Sequence, residues 1–139
     1  MPRNLGLMRL ASLPLTLALS VLIGAGCHQT SGTVGGAPAT PERLEAIRAA
    51  YAAQRPGTVV GPIIAVLPEQ SLAAVGDVPV DRFADGDLLS IIDSSENTLA
   101  VARVVRRLPD SVHVKYESSA NARPPMEGDI AVRLPFGAP

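Results

Sequence analysis

The stretch Ser111-Val112-His113-Val114-Lys115-Tyr116-Glu117 alternates without a break. Val112, Val114 and Tyr116 share one face, and Ser111, His113, Lys115 and Glu117 share the other, which is the period of a half-buried strand. Ile130-Ala131-Val132-Arg133-Leu134 repeats the pattern, and predicts that Ile130, Val132 and Leu134 point inward and Ala131 and Arg133 outward. Leu88–Asp93 and Thr98–Arg107 read as a hairpin closed by residues 94–97. The phase of the second of these strands slips between Val101 and Val104, which predicts a bulge or a strongly bent strand there. Thr58–Leu67 is apolar on both faces and is broken by Gly61-Pro62, and proline restricts such a strand to an edge or a bend. Leu72–Val75 is the sixth candidate strand.

Between Gly57 and Leu134 there are 24 Val, Ile and Leu residues, 17 of them β-branched. Branching at Cβ suits pleated strands and restricts rotamers in helices. Six short strands with one helix predict a mainly β fold, a small closed or half-closed barrel over 57–134, because a flat sheet of this size would expose two edges and an oily face. The helix is signalled by Thr40-Pro41-Glu42, a hydroxyl cap followed by proline and an acid, and should end at Arg55-Pro56-Gly57, so it occupies 41–55 with its cap. Leu44, Ile47 and Tyr51 form its apolar stripe, expected to close one end of the barrel core.

Upstream the chain changes character. Residues 1–26 hold 15 hydrophobic residues, no acid and two charges, Arg3 and Arg9, both ahead of the apolar run Leu10–Ile23. Basic start, short apolar run and small residues form the layout of a secretory signal. The run is shorter than the roughly 20 residues a spanning helix needs. Residues 27–40, rich in Gly, Ser, Thr and Pro, read as a flexible linker, and 135–139 as a tail.

Gly24-Ala25-Gly26-Cys27 resembles the lipobox of bacterial lipoproteins, with Gly24 standing where that family favours a large aliphatic residue. The resemblance implies lipidation of Cys27, palmitate-type acyl chains, and membrane anchoring as the partner relationship. It also implies the periplasmic side of the outer membrane, since His28 rather than Asp follows the cysteine. Stable anchoring takes more than one acyl chain. Gly24 and Gly26 equally satisfy ordinary signal peptidase, so a soluble periplasmic or secreted binding domain is the alternative.

Three Gly-Asp pairs, Gly76-Asp77, Gly86-Asp87 and Gly128-Asp129, read as structural turns in which glycine takes positive φ and the carboxylate bonds nearby N–H groups. Two of them lead straight into apolar strands. In this respect residues 58–134 are similar to small β-barrel modules of bacterial envelope and flagellar accessory proteins, which implies a fold rather than an activity.

The chemistry the composition permits is narrow. Twelve basic and 13 acidic residues leave a net charge of −1, and the chain from Cys27 carries 10 and 13. That balance, with 3% aromatics, disfavours nucleic acid as a partner. Asp77, Asp81, Asp85 and Asp87 do not reproduce the ligand spacing of a calcium loop, so no metal is expected, and no phosphate loop or other cofactor motif occurs. Only His28 and His113 are available as bases, and neither has an evident orienting partner in sequence. Arg103, Arg106 and Arg107 make a basic spot that could touch anionic headgroups, but the formal −3 of the chain from Cys27 does not favour general adhesion to an anionic surface. The expectation is therefore a non-catalytic envelope lipoprotein whose barrel is a structural or interaction module for an envelope protein partner, with a groove or strand edge as the contact.

Overall fold

A computed structural model describes residues 34–135. The expected signal segment, 1–26, together with Cys27, His28 and residues 136–139 of the tail, lies outside the described residues. The chain runs α1 (Pro41–Gln54), β1 (Val59–Leu67), β2 (Leu72–Gly76), β3 (Leu88–Ile92), β4 (Thr98–Arg107), β5 (Ser111–Ser118) and β6 (Ile130–Arg133). The strands close into an antiparallel barrel in the order β1-β2-β5-β4-β3-β6. Closure gives every strand a neighbour on each side, although β1 pairs with β6 over Val59–Pro62 and with β2 from Ile63 onward.

The interior is filled from all six strands, with Ile63, Val75, Leu89, Ile91, Val104, Val112, Val114 and Ala131 among the contributors. A barrel this narrow holds its own side chains rather than a channel. Phe83, from the loop between β2 and β3, joins the same cluster at 3% exposure.

Strand β6 departs from the expected orientation. Ala131 faces the interior, whereas Ile130 and Val132 form a second cluster outside the barrel with Ile47, Val60 and Ile92. Leu44 and Tyr51 pack against this cluster. Helix α1 therefore lies along the outer wall over β6 and its neighbours, and does not cap an end. Both faces of β6 are apolar in need, and alternation alone cannot tell which face meets the barrel and which meets a helix. The helix begins as its sequence indicates: Thr40 Oγ1 accepts from the Arg43 N–H at 3.2 Å, and Arg55 closes the last turn onto the Tyr51 carbonyl at 2.7 Å.

Irregularities fall where the barrel needs curvature. In β4 the alternation is clean from Ala100 through Val104; the register shifts instead at Leu99, opposite Ile91 and Ile92, and at Val105, opposite His113 and Val114. The slip expected between Val101 and Val104 is thus two bulges flanking that stretch. In β1, Val59–Pro62 pair with β6, and from Ile63 the strand pairs with β2. Pro62 sits at this changeover, a bend rather than an edge, where its missing N–H is least needed. Gly61 and Gly76 meet at the same corner: a Cβ on Gly61 would stand 2.7 Å from the Gly76 carbonyl, and one on Gly76 would stand 2.7 Å from Ile64.

Of the linker expected over 27–40, residues 27–33 lie outside the described residues, and from Val34 onward the chain is held against the barrel. Val34 forms a parallel bridge with Ala122 through hydrogen bonds to Asn121 and Arg123. Gly36 donates to the Asp93 carboxylate, Ala37 accepts from Ser94, and Ala39 donates to Gly128. A polar, glycine-rich composition signals little core burial, but it does not prevent backbone groups from being captured by a neighbouring surface. All these contacts, both apolar clusters and the ion pairs lie within residues 34–135.

Candidate functional site

Two of the three Gly-Asp pairs build the same device. In residues 84–87 and 126–129 the glycine takes φ +89° in each case. The aspartate carboxylate accepts from the N–H three residues earlier, Ala84 at 2.9 Å and Met126 at 2.8 Å. Each glycine N–H then donates to a strand carbonyl, Gly86 to Val104 and Gly128 to Ile63, and the N–H of that strand residue returns to the aspartate carbonyl. The two turns launch β3 and β6, which are neighbours in the barrel. Gly76-Asp77 differs. It ends β2, the left-handed position is taken by Asp77 itself at φ +50°, and Arg48 donates to the Asp77 carboxylate and carbonyl.

Each launching aspartate is matched by an arginine. Arg133 Nε donates to Asp87 at 2.8 Å, and its guanidinium lies 5.6 Å from the Phe83 ring centroid, a cation–π distance. Arg123 grips Asp129 with two parallel bonds, Nη1–Oδ2 at 2.8 Å and Nη2–Oδ1 at 2.6 Å. Asp129 has no exposed surface, and this fork is the geometry that makes a buried pair tolerable. The Asp129 hydrogen bonds are the main reason the Arg123 pKa is raised, against a burial effect that lowers it.

Arg123 also holds the incoming chain. Its Nε donates to the Gly36 carbonyl at 2.8 Å, while the Gly36 N–H goes to the fully buried Asp93. The Asp93 carboxylate further accepts from Ser95 N, Asn97 N and Asn97 Nδ2 at 2.8, 3.0 and 2.9 Å, closing the β3–β4 hairpin. Burial alone would push the Asp93 pKa up, but these donors outweigh it and hold it below the usual carboxylate value. Asp93, Asp129 and Arg123 thus form one knot where the segment from Val34 enters the barrel. Asp93, Arg123, Arg133 and Arg48 are site residues beyond those expected from sequence. The Asp-Ser-Ser-Glu-Asn hairpin carried a readable signal for Asp93, since aspartate at such a turn caps N–H groups two to four residues on. Nothing local to Arg123 announces its partner.

The remaining candidates do not converge. Asp77, Asp85 and Asp87 pair with three different arginines, Arg48, Arg107 and Arg133, and no cluster of three metal-ligating side chains occurs among the described residues. His113 lines a shallow outer hollow of ≈ 120 Å³ with Ala65, Leu67, Leu72, Ala73 and Ala74, none of which could orient or activate it. A larger groove, ≈ 350 Å³, runs between α1 and β3 past Tyr51, Gln54, Ser90, Ile92 and Thr98. Among the described residues no helix is long and apolar enough to cross a membrane.

Compared with known proteins, the chain matches no family model, no curated protein and no solved structure.

Proposed function

We propose that this protein is an envelope lipoprotein, anchored through lipidated Cys27, whose small barrel is a structural or interaction module held close to the membrane. The observation that carries the reading is the spacing between the lone cysteine and the barrel. Cys27 follows the apolar segment, and the chain is hydrogen-bonded to the barrel from Val34 onward. Seven residues span at most about 25 Å, so an anchored barrel would sit against the bilayer rather than roam from it. The knot at the entry point supports this, because Gly36 is held through both its N–H and its carbonyl by buried or half-buried charged groups. Presentation of a surface near a membrane is then the mechanism, with no chemical step.

Metabolic labelling with a radioactive or clickable palmitate tests the anchor. The label and membrane fractionation should both be lost in Cys27→Ser. An unmodified Cys27 in the intact mass of the membrane-associated protein, or unchanged fractionation of Cys27→Ser, would refute it in favour of a soluble exported domain.

A further inference from the structure

We propose that the outer face centred on β4 and β5 docks directly onto an anionic lipid surface; the proposal rests on the anchored reading for the nearness of the membrane. Helix α1 covers β6, and in the closed order β5 stands three strands from β6 in either direction, so this face is diametrically opposite the helix. Register places its side chains. Arg103 lies opposite Lys115 and Leu88, and Arg106 opposite His113, while Val101 lies opposite Glu117. Residues opposite each other share a face. Arg103, Arg106 and Lys115 therefore stand together with Leu88, Val101 and Val105, which are 43%, 50% and 47% exposed.

Charge complementarity selects the occupant. None of the three cations is in an ion pair among the described residues, although five other arginines are. Arg103 reaches only the Gly86 carbonyl. Glu117 is the single acid brought onto this face by the register, whereas Glu42 and Glu45 are exposed on α1 at the opposite wall. The molecule is acidic in sum yet basic here. Cations interleaved with exposed branched apolar residues match a surface with phosphate groups above and acyl chains below. Val34 pairs with Ala122, four residues beyond the end of β5, so the incoming chain meets the barrel at the end where β5 finishes. A short anchor there keeps this face within reach of the headgroups.

The test uses the chain from residue 27 with Cys27→Ser, which carries no lipid and retains every described contact. It is sedimented with phosphatidylcholine vesicles and with vesicles that also contain phosphatidylglycerol. Binding is expected only to the latter, weakening as salt rises. Arg106→Glu with Lys115→Glu should reduce it by about fivefold or more per cation lost. Val101→Ser with Val105→Ser should reduce it at unchanged salt dependence. Circular dichroism and Tm of these surface variants should match the parent. Equal binding to both vesicle types, unchanged binding of the charge-reversed variant, or binding to an acidic envelope protein and not to vesicles would overturn the proposal. A lipidated Cys27 with a vesicle-indifferent barrel refutes the face alone, and an unlipidated Cys27 with a vesicle-binding barrel refutes the anchor alone.

Discussion

Replacing Arg123 with alanine should remove a large share of the stability of this domain. The Asp129 carboxylate has no exposed surface and accepts three hydrogen bonds, two from Arg123 and one from the Met126 N–H. Truncation leaves a buried carboxylate with one donor, and also strips the Gly36 and Pro124 carbonyls of a guanidinium donor. Breaking a buried pair on one side costs roughly 3–5 kcal/mol. A domain of this size has about 5–15 kcal/mol in total. With about 4–8 °C lost per kcal/mol in domains of this size, Tm should fall on the order of 15–30 °C. Urea and thermal unfolding followed by circular dichroism would read the difference directly. The control is Glu45→Ala, which deletes only the exposed pair with Arg48 and should change stability by less than about 0.5 kcal/mol. A loss under about 1 kcal/mol, close to that of a surface ion pair, would refute the reasoning.

Three further perturbations separate the elements. Ile47→Ala should cost about 2–4 kcal/mol in unfolding experiments, because Ile47 is 1% exposed and seals the helix onto Ile130 and Val132; an effect near zero would mean the outer cluster is not cooperative with the barrel. Gly128→Ala should destabilise by more than Gly86→Ala, since both sit at φ +89° and share a strain of about 1–2 kcal/mol, but only at Gly128 would the new Cβ lie 2.8 Å from Pro38; equal melting points would contradict this. Asp93 has a folded pKa below its unfolded value, so its contribution is present above the unfolded value of about 3.9 and is lost as pH falls through the folded one. Asp93→Asn should therefore flatten the stability–pH curve measured below about pH 4, and an unchanged curve would show that the carboxylate does not govern acid sensitivity.

Much of the secondary structure was legible because its signals are local. Val112, Val114 and Tyr116 alternate over enough residues to identify both the strand and its inward face, and the Thr40-Pro41-Glu42 start needs no tertiary partner to be recognised. The β3–β4 hairpin and the special backbone at Gly86 and Gly128 were readable for the same reason. Three things were not. The orientation of β6 depended on whether a helix or the barrel claims Ile130 and Val132, and both are apolar environments. The bulges at Leu99 and Val105 answer the curvature of a closed sheet, not a residue preference. The capture of residues 34–39 depends on Asp93 and Arg123, which lie 57 and 87 residues from Gly36.

By itself the sequence determined the kind of fold: a helix with an unambiguous start, and β-branched strands too short and too few to stand as an open sheet. These follow from periodicity, capping and composition, which act over a few residues. Only the tertiary structure decided which face of each strand is inside, which aspartate meets which arginine, and where the tether effectively ends. It also decided that Arg103, Arg106 and Lys115, separated by up to a hairpin in sequence, share one uncovered wall. The physical reason is that ion pairing and burial are settled by distance in space, and barrel closure brings together residues whose sequence neighbours carry no record of the meeting.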